Sequence, residues 1–510
     1  MGESLGTEIS VHDPELESFP VETPGGRVHI RWDHQARATP NAQLAFFAEF
    51  LAATGVYESW VDSCPLIYGS GSASHKRDVL GTWFLSVLAG HHRYAYVTGL
   101  RGDGVSPQIL GMSKIVSEDS LRRALARMSA VESRDWLRPQ LLSSVRAALN
   151  SPWILDIDTT VKTLFGKQSG AEVSYNPHKP GRPSHALHAY FVSHLRMVLD
   201  VVVCPGNQHS AAHARPGLND ILDGLSQEQQ PVLVRGDCGF GNEPFIEELE
   251  RRGQSYLFKL RQTAGVKKML ARQFARQDWT APGPCDQGWS AVEDTLKLTG
   301  WDKSRRVVVL RRAAKSDVAL RRKSSEGQME LLLPGEEVEL WEYAVLVTNS
   351  SYALESMAQL YRDRADAENG FDELKNQWGW GGFTTQDIER CQTSARAVAL
   401  VYNWWSWYCR AAKPKARMEA ITSRALLLAS VGRATQHAGK TTLYLTPMHA
   451  ARATLMMLIA NVRAALSHVR AVAEQSPTAD RWKTLLDYIV AKIIPRRPQK
   501  LLETCPLLAR

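Results

Sequence analysis

Tyr361, Arg364, Glu368 and Lys375 are separated by 3, 4 and 7 residues in a stretch, 352–377, whose apolar spacing predicts one long helix. At about 100° per residue they fall within a stripe roughly 60° wide, so the four side chains share a face. A carboxylate between two cations and a phenol is an unusual mixture for a solvated stripe. It suits a charged ligand, with a metal on the carboxylate and phosphates against the ammonium, the guanidinium and the hydroxyl. Glu368 by itself says little, because Asp363, Asp366, Asp372 and Glu373 surround it.

Two upstream segments carry acids on strand-like patterns. Trp153-Ile-Leu-Asp156-Ile-Asp158-Thr-Thr-Val161 puts two aspartates on one face of a strand. Val232-Leu-Val-Arg-Gly-Asp237-Cys-Gly-Phe-Gly ends a strand on an acid followed by a glycine turn, a place where an acid can also do no more than terminate the strand. Breaking a phosphodiester needs an activated water and a stabilised leaving oxygen. Two Mg²⁺ ions about 4 Å apart can supply both. Mg²⁺ is a hard ion that prefers oxygen ligands. The seven cysteines are scattered without a C-x-x-C pair, so a zinc site of the usual spacing is not expected.

Tyr361-x2-Arg364-x3-Glu368-x6-Lys375 resembles the Y-x2-R-x3-E-x6-K signature of bacterial insertion-sequence transposases with a DDE catalytic core. The resemblance covers roughly residues 75–405 and includes Tyr175-Asn-Pro-His-Lys179-Pro-Gly-Arg182-Pro-Ser, similar to that family's loop between the first two strands. It implies a catalytic triad of Asp158, Asp237 and Glu368, spaced by 79 and 131 residues, with Asp156 as the competitor of Asp158 for the first place. It also implies two Mg²⁺ ions, for which Mn²⁺ can substitute, with Asp158 bridging both and Asp237 and Glu368 holding one each. Tyr361, Arg364 and Lys375 would grip DNA phosphates. Relatives of this class can pass through a DNA hairpin with a flipped base held by aromatics. Trp289, Trp301 and Trp341 are candidates for that clamp, and core packing explains each equally well. A homodimer on double-stranded DNA, carrying terminal inverted repeats and target, is implied because two ends must be joined together. The implied location is the bacterial cytosol, at the nucleoid.

The elements that must position these residues follow from pattern. Residues 1–25 read as a disordered acidic leader, with six acids and no Lys or Arg before Gly25. Residues 26–150 read as a helical DNA-binding domain with helices near 41–54, 76–89 and 132–149. Within it, 107–127 reads as helix, turn, helix: Ser117 is the N-cap and Arg122, Arg123 and Arg127 decorate the second helix as phosphate contacts. An ordinary helix pair with a solvated basic face would read the same way. From 151 to 262 the pattern is strands at 153–160, 188–195, 197–204, 231–235 and 255–259, with helices at 212–225 and 244–252. That order is the one expected of a ribonuclease-H-like α/β layer. Residues 263–349 read as a β-rich insertion with strands at 305–311, 328–333 and 339–347. Nine Lys and Arg stand against two Asp between Trp301 and Ser324, which suits DNA or a solvated sheet edge. Residues 350–405 complete the core and 406–510 are helical. The fold class expected is thus an α/β ribonuclease-H-like catalytic core with a β-rich insertion, a helical N-terminal DNA-binding domain and a helical C-terminal region. The five aromatics at 402–408 are read as core.

Bulk properties agree with a nucleic-acid partner without proving one. The 510 residues carry a net charge of +8, and six of the 53 acids sit in the leader, so the remainder holds a surplus of about 14 positive charges. An odd number of scattered cysteines fits reduced thiols. No run of about 18 apolar residues suggests a membrane span. Two rivals stay open at this point: a DNA-binding remnant without catalysis, and a metal-dependent nuclease that cuts but never rejoins.

Overall fold

The computed structural model describes residues 18–33, 35–68, 73–177, 179–281, 288–313, 341–446, 451–473 and 476–493. Phe19–Thr23 (β1) and Gly26–Ile30 (β2) form an antiparallel hairpin, with Phe19 opposite Ile30 and Val21 opposite Val28. Residues 19–25 of the expected leader are therefore a strand and a turn. Gly26 supplies the turn at φ 108°, and the apolar cross-strand pairs favour strand pairing despite the local acidity. Residues 1–17 lie outside the described residues.

Arg37–Thr39 (β3) leads into Leu44–Thr54 (α1), Val56–Asp62 (α2), Lys76–Leu88 (α3), Ser106–Ile109 (α4), Glu118–Leu125 (α5) and Ala130–Val145 (α6). α1 stops at Gly55, whose left-handed φ of 71° lets its N–H return to the carbonyls of Leu51 and Ala52. α3 is buried on every face from Asp78 to Leu88, as befits a central helix. A capping box between Ser129 and Glu132 starts α6. The expected helix–turn–helix is present as α4 and α5, with the Ser117 hydroxyl accepting the Ser120 N–H at 3.1 Å. Arg122 and Arg123 ride on α5, but Arg127 lies past its end: its N–H closes a turn onto the Ala124 carbonyl.

Ile154–Thr163 (β4) is the central strand of a nine-stranded sheet. Glu172–Val173 (β5), Pro183–Val192 (β6) and Met197–Pro205 (β7) follow, and β6 pairs antiparallel with β4, β5 and β7. After Ala211–Asp223 (α7) comes Leu233–Gly236 (β8), parallel to β4. After Glu243–Arg251 (α8) comes Tyr256–Lys259 (β9), parallel to β8. The long antiparallel strands β4, β6 and β7, followed by helix-linked parallel ones, match the succession the sequence predicts for a ribonuclease-H-like layer; the two-residue β5 is an addition. Next come Ala264–Gln273 (α9), Ser290–Leu296 (β10), Arg305–Ala313 (β11) and Trp341–Thr348 (β12). β12 pairs with β9, β11 with β12 and β10 with β11, so the inserted strands extend the same sheet. The strand expected at 328–333 and the second half of the basic cluster lie outside the described residues.

The helix expected over 352–377 is two helices, Leu354–Arg362 (α10) and Ala365–Gln377 (α11). The chain tightens between them: the N–H of Arg364 reaches back three residues to Tyr361, and that of Ala367 three residues to Arg364. Ile388–Ala412 (α12) then runs across β7 and α6. Asn403 fastens it, accepting the Val198 N–H at 3.0 Å and donating to the Val198 carbonyl and the Ser144 hydroxyl at 2.8 Å each. Tyr402, Trp404, Trp405, Trp407 and Tyr408 on α12 are all core, none more than 1% exposed. Ala420–Leu427 (α13) follows. The rest is not wholly helical as expected: Gly432–His437 (β13) and Lys440–Leu445 (β14) form a hairpin that adds to β3. Its two-residue turn, Ala438 and Gly439, takes φ of 47° and 75°, the positive pair that a tight hairpin requires. Arg452–Ala473 (α14) and Thr478–Ile493 (α15) close the described chain. No described helix is long and apolar enough to cross a membrane.

Candidate active site

The parallel pairing of β4 and β8 sets the first two acids. Asp156 stands opposite Arg235 and Ile157 opposite Gly236, which brings Asp158 level with Asp237 just past the end of β8. The two aspartates on one strand face then part company. Asp156 is buried and gives both carboxylate oxygens to Arg235, at 2.6 and 2.8 Å. Asp158 keeps 21% of its side chain exposed and accepts the Thr159 N–H at 2.8 Å. Asp237 accepts the Gly239 N–H at 2.8 Å, and a Cβ at Gly239 would fall 3.0 Å from that oxygen, so the glycine turn lets the backbone cradle the carboxylate.

The start of α11 lies over this pair. Arg364 is buried. Its guanidinium donates to Asp158 Oδ2 at 3.4 Å and to Glu368 Oε1, one helical turn on. Burial pushes the Asp158 carboxyl up to about 6 against the pull of Arg364, and the negative charges of Asp237 and Glu368 push it the same way. Asp237 and Glu368 thus both lie within electrostatic reach of Asp158. Neighbouring acids and the Tyr361 hydroxyl hold Arg364 firmly protonated. Burial raises the Tyr361 phenol to about 12, so it stays a donor. Lys375, half-buried two turns beyond Glu368, has its ammonium disfavoured by desolvation, with Asp158 the first charge opposing that. The predicted stripe survives the break in the helix.

Oxygen-only donors from three elements suit a hard divalent ion by type. In this conformation the space between Asp158 and Glu368 is taken by the Arg364 guanidinium. Among the described residues, no three His, Cys, Asp or Glu side chains converge on one point as a finished cation cage. The set fits a divalent ion in donor chemistry and local charge, provided that Arg364 gives way.

The remaining candidates are spread out. Arg122 lies against the Tyr94 ring at 5.0 Å, pairs with Glu118 at 2.8 Å and lines the same cavity as Lys375. Arg123 and Arg127 are exposed, and Arg127 covers the Tyr68 ring at 5.6 Å. Trp289 and Trp301 are buried, and each of the three insertion tryptophans has an arginine over its ring: Arg312 on Trp289, Arg305 on Trp301 and Arg311 on Trp341. A base stacking on those faces would displace the arginine. Sequence reasoning missed Arg235, which also donates to the Ser193 hydroxyl at 2.7 Å and to the Leu360 carbonyl. It ties the strand of the first acid to the residue just before Tyr361. Its one sequence signal was a cation two places before Asp237 on a buried strand.

A solved structure described as the cryo-EM structure of piggyBac transposase synaptic complex with hairpin DNA aligns over 91% of this chain and 89% of that one, at 10% identity and a TM-score of 0.36. No curated protein matches the chain. The family model described as Transposase DDE domain group 1 matches residues 40–467, a span that takes in Asp158, Asp237, Glu368 and every element around them. The chain belongs to the DDE transposase family.

Proposed function

We propose that this protein is the transposase of a bacterial insertion sequence, of the class marked by Tyr361, Arg364, Glu368 and Lys375. It cuts phosphodiester bonds at the terminal inverted repeats of its mobile element and joins the freed ends to target DNA. The observation that carries this reading is the β4–β8 register that sets Asp158 beside Asp237, with the Arg364 guanidinium bonded to both Asp158 and Glu368, in a chain of the DDE family. Mg²⁺, or Mn²⁺ in its place, bound by those three carboxylates would activate the attacking water or 3′-hydroxyl and relieve charge on the leaving oxygen. Asp158 would be the ligand shared between two such ions if a pair is held.

The other residues have defined tasks. Arg364, released from the carboxylates, is within reach of the phosphate being cut and offers it a planar double donor. Tyr361 stays protonated at neutral pH and can donate to a phosphate oxygen. Lys375, without an ion pair among the described residues, neutralises the strand alongside. Arg122, Arg123 and Arg127 on and beside α5 contact the duplex backbone. The protein works as a homodimer on DNA, because two ends must be joined, and it works in the bacterial cytosol at the nucleoid. Strand transfer separates this reading from a simple nuclease. A duplex with a pre-formed 3′-hydroxyl end of the element, mixed with target plasmid and Mg²⁺, yields joined products if the reading is right. Nicked plasmid without joining means a nuclease, and bound but unchanged DNA means an inactive remnant.

A further inference from the structure

The β1–β2 hairpin alternates with a period of two. Phe19, Val21, Val28 and Ile30, paired across the strands, share one face, and Pro20, Glu22, Arg27 and His29 share the other. A sheet face patterned in this way is made to be covered. Yet every residue of both strands is exposed. The four apolar residues are 40–49% exposed, and Trp32, two residues past Ile30, is 63% exposed. The hairpin is otherwise well made. The Thr23 hydroxyl donates to the Gly26 carbonyl at 2.7 Å and accepts the Gly25 N–H at 3.2 Å, and Glu22 pairs with Arg27 across the polar face. A lone two-stranded hairpin is marginal in water, and a second apolar layer is what stabilises it.

The occupant of this face has to be apolar and of similar size. Glu22 and Arg27 are the only Asp, Glu, Lys or Arg in the two strands, and they neutralise each other, so no net charge directs the hairpin to phosphates. An identical hairpin meets the requirement. Phe19 and Ile30 lie at one end of the face and Val21 and Val28 at the other, so a copy turned through 180° about an axis between them sets the same patch against itself. Two such layers pack about 10 Å apart, as stacked sheets do.

We infer that the β1–β2 hairpin is an arm that packs face to face on the same hairpin of a second copy of this chain, a two-layer contact of four strands on a twofold axis. With five apolar residues from each copy it covers at most about 1,000 Å², short of the about 1,200 Å² of a stable interface. The arms therefore close when something else brings two copies together, and they do not hold free copies as a dimer. DNA is what brings them together, a point that rests on the reading of this protein as an enzyme that joins two DNA ends.

Cross-linking of the full chain tests it, with a homobifunctional maleimide of about 10 Å span and a mixed-sequence duplex of about 40 base pairs to gather the copies. The unsubstituted chain gives the background from the native cysteines. Val28→Cys should raise the cross-linked dimer at least about fivefold over that background, while His29→Cys, on the opposite face, should stay within about twofold of it. Adding Val21→Lys to Val28→Cys brings like charges into the contact and should return the yield to background. Melting should stay within about 2 °C of wild type, because neither valine is buried. Equal cross-linking on both faces, an internally linked monomer from Val28→Cys, or a yield untouched by Val21→Lys overturns the assignment. Strand transfer onto a plasmid is measured separately. Face-specific cross-linking in a chain that never joins DNA keeps the arm and rejects the transposase. Joining without a face-specific cross-link does the reverse.

Discussion

Arg235 holds both carboxylate oxygens of Asp156, at 2.6 and 2.8 Å, with neither side chain more than 1% exposed. The pair is formed by the parallel register of β4 and β8. Through the Leu360 carbonyl it also anchors α10 at the residue before Tyr361. It makes Asp156 a structural acid and leaves Asp158 as the proposed metal ligand.

Breaking that pair from one side strands a buried charge. Arg235→Met should therefore cost about 3–5 kcal/mol of stability. Asp156→Asn should be destabilised in the same direction, while Asp158→Asn should not. Urea unfolding of the three variants checks this. A stable Asp156→Asn that has lost cleavage, beside an active Asp158→Asn, would return the first catalytic place to Asp156.

Arg364 stands between Asp158 and Glu368 where a divalent ion would be held. Removing it leaves the carboxylates with no cation between them. Arg364→Ala should gain more thermal stability from added Mg²⁺ than wild type does, although its cleavage is lost. Melting with and without Mg²⁺ measures this. An equal or smaller Mg²⁺ effect in the variant would mean that the guanidinium does not share the site with the metal.

His188 on β6 is fully buried and neutral. Its Nδ1 accepts from the Thr159 hydroxyl at 2.8 Å and its Nε2–H donates to the Gln208 carbonyl at 2.7 Å. Burial lowers its pKa from 6.5 to about 4. The unfolded chain therefore binds more protons between those values. The stability gained from neutral His188 is complete above pH 6.5 and lost as the pH falls toward 4. Wild-type unfolding free energy should decline across that window, and His188→Gln should flatten the decline by up to one proton. Identical slopes would show that other groups govern the acid limb.

Much of this was legible because a period within one element needs no knowledge of the rest. The strand holding Asp158, the helices α7 and α8 and the shared stripe of Tyr361, Arg364, Glu368 and Lys375 all follow from spacing. Partnership across the chain did not. Whether Asp156 or Asp158 faces the site depends on which one meets Arg235, 79 residues after Asp156, and only strand register decides that. The break between α10 and α11 has no proline or glycine to announce it. The β13–β14 hairpin turns on Ala438 and Gly439 in a region whose flanks are strongly helical. Lys162 looked like any strand lysine until the sheet and the Gly379–Phe383 segment enclosed it.

The most direct measurement is Mg²⁺-dependent cleavage and joining of a duplex ending in the element's own terminal repeat, comparing wild type with Glu368→Gln. The substitution keeps the side-chain shape and removes an anionic oxygen ligand. The account predicts that wild type cuts and joins, while Glu368→Gln binds the duplex equally well and forms no product. Cleavage by Glu368→Gln at the wild-type rate would contradict the assigned active site.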